Sequence, residues 1–212
     1  GAAVSWQDQG DYFTRVRLRK EGLGTQEIET TLAEQALEDD RLFGEDATAG
    51  DIPAGMTPDR WRFIRRNRHA ESRQDLMSLD LPLLAIWGAD DLNVDPVRNA
   101  RIYRRLLAAR DAPTRIIILP NATHGLLKAP VYNWQMPDDW SRYAVARFLL
   151  EGRHAFAPGA LDTIADWVHQ FDLSREPIIV QADRTREDAA IDTCARPPST
   201  QLDRCCVSQG TG

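Results

Sequence analysis

Hydrophobic and polar positions alternate with a helical period through the first 80 residues of the chain. Apolar side chains recur there every three or four positions among many charged ones, which is typical of surface helices. Thr25 is the predicted N-cap of one helix, whose apolar face comprises Ile28, Leu32, Ala36 and Leu37. A second helix is predicted to start at Thr57 with Pro58 in its first turn; it carries Trp61, Ile64 and the arginines Arg60, Arg62, Arg65, Arg66 and Arg68.

The middle of the chain has a different pattern, with two nearly continuous apolar runs at 81–87 and 115–120. Runs of this length predict strands that are buried on both faces. Between them, a helix opening at Pro96 has a stripe of apolar residues and ends before Pro113. A strand, a helix and a second strand in this order predict a parallel sheet with a right-handed crossover, and therefore an α/β fold.

Two more amphipathic helices are predicted beyond this unit, at 138–150 and from Leu161 to Phe171. From Ser174 onward the sequence is polar and lacks periodicity, which predicts a disordered tail. The chain therefore divides into a helical region at 1–80, an α/β core at 81–173 and a tail at 174–212.

The composition narrows the class of protein. The 212 residues are 42% hydrophobic and 27% charged, as in soluble globular domains. A net charge of −6 argues against a general nucleic-acid binder, and no apolar run approaches the ~18 residues of a membrane helix. The three cysteines, Cys194, Cys205 and Cys206, all lie in the predicted tail, and no histidine stands near them at metal-ligand spacing. We therefore expect a soluble protein without a metal or organic cofactor, and a cytoplasmic location is slightly favoured.

Candidate catalytic residues follow both predicted strands. Asp90 and Asp91 come directly after the first strand, and His124 follows the second. Because the carboxyl ends of parallel strands meet at one edge of a sheet, an aspartate and a histidine are placed side by side there. Such an aspartate orients the imidazole and supports its positive charge while the other ring nitrogen takes a proton. Taken singly, the aspartates also fit a solvated turn and the histidine an ordinary loop residue.

These motifs resemble the C-terminal half of an α/β-hydrolase, particularly bacterial members related to the prolyl-oligopeptidase and serine-aminopeptidase groups. The similar segments are the run from Pro82 to Val94, the loop from Leu119 to Gly125 and the helix around Trp167. The resemblance implies that Asp91, rather than Asp90, is the catalytic acid and His124 the catalytic base. It also implies that residues 1–80 contain the end of a core strand followed by a helical cap.

The nucleophile expected of this family is missing from the sequence. It should lie in Gly-x-Ser-x-Gly before the acid, yet the serines there are Ser5, Ser72 and Ser78, and none has those flanking glycines. Ser208 lies on the wrong side of His124 and lacks the first glycine. We therefore expect the serine on an N-terminal part outside these residues, without which this chain alone is inactive. An aspartate nucleophile would occupy the same missing turn.

Three further residues are candidates for substrate binding. Trp134 follows the His124 loop and could line a pocket, although packing beneath the cap explains it equally well. Arg62 and Arg65 could bind a substrate carboxylate, although a solvated cap helix is the simpler interpretation.

The sequence as a whole predicts a hydrolase of ester, amide or peptide bonds that acts on a small-molecule or peptide substrate through a Ser-His-Asp mechanism. The alternative is a non-catalytic α/β-hydrolase-like protein that binds a partner or ligand. Neither the substrate nor the oligomeric state follows from the sequence.

Overall fold

The computed structural model describes residues 2–171, in which helices surround a two-stranded parallel sheet. The α/β class is thereby confirmed for this part of the chain. The predicted tail at 174–212, its three cysteines and Ser208 lie outside the described residues. No helix in the described part is both long enough and apolar enough to cross a membrane.

Four helices form the N-terminal region: α1 (Trp6–Lys20), α2 (Thr25–Phe43), α3 (Pro58–Asn67) and α4 (Arg73–Ser78). As predicted, Thr57 caps α3, and its hydroxyl accepts a hydrogen bond of 3.3 Å from the Arg60 N–H. The prediction of Thr25 as the N-cap of α2 was wrong, because Gly24 occupies that position. The Glu27 carboxylate accepts a hydrogen bond of 2.8 Å from the Gly24 N–H, so the helix begins without a side-chain cap from Thr25.

A small apolar cluster joins α2 to α3. Phe43, Ala47 and Trp61 are its buried members, and the Trp61 indole donates a hydrogen bond of 2.8 Å to the Leu42 carbonyl. The Arg65 guanidinium lies 4.7 Å from the Trp61 ring centroid. The Trp61–Leu42 bond, together with the apolar cluster, therefore holds α3 against the C-terminal end of α2.

The predicted β-α-β unit is present and consists of β1 (Leu83–Gly88), α5 (Pro96–Leu106) and β2 (Thr114–Leu119). The strands are parallel, in a register that runs from Leu83 opposite Thr114 to Gly88 opposite Leu119. Trp87 is fully buried and packs edge-on against Tyr103 of α5, with ring centroids 5.0 Å apart. The two strands therefore end together, at the edge where Asp91 and His124 follow.

The first residues of the chain lie against this unit without forming a strand ladder. The Val4 N–H donates to the Asn99 side-chain oxygen at 2.9 Å, and the Trp87 indole donates to the Ala2 carbonyl at 3.2 Å. Ser5 forms a single antiparallel bridge with Glu71. Backbone bonds also hold this segment, from the Ser72 N–H to the Val4 carbonyl at 2.9 Å and from the Trp6 N–H to the Ala70 carbonyl at 3.1 Å, although the described residues form no strand here.

Helices α6 (Arg142–Glu151) and α7 (Ala160–Gln170) complete the described part. α6 begins later than the predicted residue 138, because Pro137–Asp139 form a short 3-10 turn and Ser141 caps the helix. Leu119, Ala122, Ala157 and Ala160 form a second buried cluster, against which Ile86 and Ile117 pack. Opposite faces of the sheet thus contact different helices.

Candidate active site

Asp91 is completely buried in the turn formed by residues 89–94 after β1, which we call the acid turn. Its side chain has 0% exposure, and its Oδ1 accepts hydrogen bonds from the backbone N–H groups of Asn93 at 2.8 Å and Val94 at 2.9 Å. Such local bonds satisfy a buried carboxylate oxygen and fix its orientation. Asp90, by contrast, is exposed, so the turn presents only one of the two aspartates to the interior.

Gly88 allows the acid turn and the His124 loop to approach each other closely. A Cβ at this position would lie 2.2 Å from the Ala122 carbonyl oxygen and 2.3 Å from that of Thr123. The Ala89 N–H donates to the Leu119 carbonyl at 2.7 Å, and the Asp90 N–H to the Ala122 carbonyl at 3.0 Å. The backbones are therefore bonded together where a side chain would separate them.

The loop that carries His124 is tightly folded. Asn121 and Leu126 both have positive φ, at 53° and 59°. The Thr123 hydroxyl accepts a hydrogen bond of 3.2 Å from the Leu127 N–H, and the Thr123 N–H donates to the Leu127 carbonyl at 2.9 Å. These bonds close a short turn around His124 and hold its backbone at the end of β2.

Asp91 and His124 form a direct pair. Nδ1 of His124 lies 2.9 Å from Oδ2 of Asp91 and 3.1 Å from Oδ1. A carboxylate can only accept, so the neutral imidazole must carry its proton on Nδ1, which leaves the lone pair on Nε2. The histidine side chain is 41% exposed, and no described residue forms a hydrogen bond with Nε2. This arrangement can take up a proton at Nε2 while the buried carboxylate stabilises the imidazolium.

Two residues that the sequence analysis missed fasten the acid turn to α1. The Tyr12 hydroxyl donates to the Asp91 carbonyl at 2.9 Å, and burial, together with the nearby Asp95 and Asp91 carboxylates, raises the pKa of this phenol. The Gln135 amide donates to the Leu92 carbonyl at 3.0 Å and to the Phe13 carbonyl at 2.8 Å. Neither residue lies in a recognisable sequence motif. Each donates to main-chain oxygens that are far from it in the sequence, and any residue type can supply those oxygens.

A cleft of about 380 Å³ opens beside the exposed ring of His124, and we call it the His124 cleft. Trp134, one of the candidate binding residues, lines it. Arg62 and Arg65 do not: Arg62 pairs with Asp59 on the surface of α3, and Arg65 donates to the carbonyls of Gly44 and Glu45. The structure therefore brings Trp134 to the candidate site and leaves both arginines out of it.

The serines before Asp91 have structural partners of their own. The Ser5 hydroxyl caps α1, Ser72 donates to the Val4 carbonyl at 3.1 Å, and Ser78 donates to the Asp75 carbonyl at 3.0 Å. None of residues 2–171 that line the His124 cleft is a serine. Within the described part, the site holds an acid and a base without an adjacent serine.

Comparison with protein-family models, curated proteins and solved structures gives no significant match. What is established is the class of the described part, a parallel β-α-β unit with flanking helices and a buried Asp–His pair at the ends of its strands.

Proposed function

We propose that this chain supplies the acid and the general base of a hydrolase of ester, amide or peptide bonds with an α/β-hydrolase fold. The observation that carries the proposal is the contact between the fully buried Asp91 carboxylate and Nδ1 of the half-exposed His124, at 2.9 Å. Binding alone does not require a buried carboxylate behind an exposed imidazole, whereas the Ser-His-Asp mechanism uses it to orient the ring and to stabilise the imidazolium. In this proposal the nucleophile is a serine outside these 212 residues, because no Gly-x-Ser-x-Gly precedes Asp91.

The proposed reaction proceeds through an acyl-enzyme. Nε2 of His124 accepts the serine proton while the serine oxygen attacks the substrate carbonyl, and Asp91 stabilises the imidazolium. The imidazolium then protonates the leaving alcohol or amine as its bond to the carbonyl carbon breaks. In the second half, His124 takes a proton from water, which attacks the ester, and returns that proton to the serine. The donors for the oxyanion lie with the nucleophile, outside this chain.

The hydrogen bond between the pair can be tested on this chain alone. Nitrogen NMR of histidine-labelled protein should show neutral His124 protonated on Nδ1, and His124→Ala assigns the resonance. Asp91→Asn should shift the proton to Nε2, because an amide group can donate to Nδ1. Asp90→Asn is the matched control and should leave the tautomer unchanged. An Nε2-protonated ring in the unmodified protein would contradict the proposed geometry.

The activity is tested in the protein purified from its source, whose intact mass and N-terminal sequence come first. We expect a mass above 23.9 kDa, with the serine reactive towards a phosphonate ester. Asp91→Asn and His124→Ala should each lower kcat by about 10³–10⁴-fold, and Asp90→Asn should change it little. Near-normal turnover in either variant would contradict the assignment. A mass of 23.9 kDa without labelling would favour the non-catalytic binding protein.

A further inference from the structure

The His124 cleft is uncharged apart from the histidine itself. Among the described residues, its walls contain no aspartate, glutamate, lysine or arginine, and the residues that line it include Asn93, Thr123, Tyr132, Trp134, Met136 and Val145. Because 27% of the residues of this protein are charged, the absence of an aspartate, glutamate, lysine or arginine from the described walls distinguishes this cleft from the rest of the surface. Its volume, about 380 Å³, is enough for a substituent of a small molecule.

A packed aromatic cluster forms one side of the cleft. Tyr132 is 1% exposed and stacks on Trp140 with ring centroids 5.8 Å apart, and Phe148 meets both rings edge-on at 6.0 and 5.8 Å. Burial raises the pKa of the Tyr132 phenol, which stays neutral. This side of the cleft is therefore preorganised and does not acquire a charge near neutral pH.

Near this cluster, Lys128 and Arg147 share the single carboxylate of Glu151, and the Asp139 carboxylate accepts a hydrogen bond of 3.2 Å from the Met136 N–H. The Arg147 guanidinium donates to a Glu151 oxygen at 2.6 Å, and Lys128 Nζ lies 3.6 Å from the other oxygen of Glu151. Asp91 is shielded behind the imidazole with 0% side-chain exposure. A charged substituent entering the cleft would lose water and find no free counter-ion on its walls.

The open side of the cleft offers apolar surface. Trp134, Met136 and Val145 line it, and they are 36%, 45% and 41% exposed. An apolar group that covered these side chains would remove their surface from water, which is favourable. Neither side of the cleft offers a charge to a substituent, and the polar exception is Asn93 Oδ1, a buried acceptor without a partner among the described residues.

We propose that the His124 cleft binds an uncharged apolar substituent of the substrate, either aromatic or branched alkyl. Its connection with turnover rests on the proposed function, because His124, which would transfer the proton, lines the cleft. The selectivity itself depends only on residues of this chain, so it can be measured without the nucleophile.

Three nearly isosteric probes carry the charge on the aromatic group that enters the cleft: benzamide, benzoate and benzamidinium. Titration of the full chain at pH 7.5 should shift the NMR signals of the Trp134 indole and the His124 ring, and the neutral amide should bind about tenfold more tightly than either ion. Equal or tighter binding of an ion, or no binding of the amide at millimolar concentration, would overturn the proposal.

Two substitutions at exposed positions should change the preference in opposite directions. Val145→Glu should weaken binding of the benzamide and favour the benzamidinium, and Met136→Lys should favour the benzoate. Val168→Glu on α7 is the control, since Val168 is 44% exposed and does not line the cleft. Thermal unfolding of each variant checks that the fold is intact. If the cleft variants behave like Val168→Glu, the probes bind elsewhere and the proposal is wrong.

The result is separable from that of the hydrolase experiment. In one outcome, binding of the neutral probe is weakened by Val145→Glu while turnover is unaffected by His124→Ala. That result would support the apolar subsite and contradict the catalytic role of His124. If turnover depends on His124 but is faster for substrates with charged substituents, the catalytic role is supported and the apolar subsite is contradicted.

Discussion

The acid turn and the N-terminal helices hold their charged groups in opposite ways. Asp91 is inaccessible and bonded to two backbone N–H groups and an imidazole. In the helices, the pairs Arg15–Glu29 and Arg41–Glu38 join side chains that are 31–58% exposed. Exposed pairs of this kind contribute about 0–1 kcal/mol, whereas breaking a buried, bonded charge costs far more. The comparison teaches that substitutions that remove a charged partner should be tolerated in these exposed helical pairs and should be costly at the strand ends.

The largest effect on stability should come from Gly88, where the two strand ends touch. Gly88→Ala places a Cβ against two carbonyl oxygens at 2.2 and 2.3 Å, and we expect it to lower the free energy of unfolding by about 3 kcal/mol. Gly10→Ala in α1 is the matched control, because no atom lies within 4 Å of its added Cβ. It should raise stability by ~0.5–1 kcal/mol. Urea unfolding measures both, and equal effects would erase the contrast between the regions.

A medium effect is expected where the two regions meet. Tyr12→Phe removes the hydrogen bond to the Asp91 carbonyl, and we expect it to lower the free energy of unfolding by about 1 kcal/mol. Tyr143→Phe, at a residue that is 76% exposed, should change it little. Chemical denaturation of the two variants provides the comparison. A loss at Tyr12 no greater than that at Tyr143 would mean that α1 does not support the acid turn.

The smallest effect should be a dependence on pH within the helices. Burial raises the pKa of Asp39 above 3.8 despite the nearby Arg68, so its carboxylate destabilises the folded state at neutral pH. Asp39→Asn should therefore unfold at a slightly higher temperature above the raised pKa. This advantage should shrink as the pH falls through that pKa and vanish below the unfolded value, where the aspartate is protonated in both states. Asp59→Asn, at a side chain that is 89% exposed, controls for the loss of a charge. An advantage that persisted in acid would contradict this account.

Local pattern predicted most of the β-α-β unit. The apolar runs at 81–87 and 115–120 correspond to β1 and β2, and Pro96 opens α5 as expected. The first residue of a helix was less predictable where two neighbouring residues could each occupy the N-cap position. At Gly24–Thr25 the outcome depended on the Glu27 carboxylate reaching back to the Gly24 N–H, a contact that propensity alone does not specify.

The candidate site was predictable where it follows from strand order. Asp91 and His124 are 33 positions apart, and the parallel crossover alone places them together. Tyr12 and Gln135 could not be found in this way, because their hydrogen bonds depend on how α1 packs against the rest of the structure. Arg65 shows the opposite case: its charge suggested a ligand, but its guanidinium bonds to the carbonyls of Gly44 and Glu45.

The register of β1 on β2 also restricts which changes of chain length this protein can accept. Gly88 lies opposite Leu119, and the acid turn and the His124 loop begin a few residues beyond that pair. One residue inserted into either strand would shift one partner by about 3.3 Å and turn the following side chains to the other face. Residues 108–112, between α5 and β2, precede the Pro113 carbonyl that accepts a hydrogen bond from the Leu83 N–H, so an insertion among them leaves the register unchanged. Evolutionary insertions should therefore collect at 108–112 and be excluded from the strands.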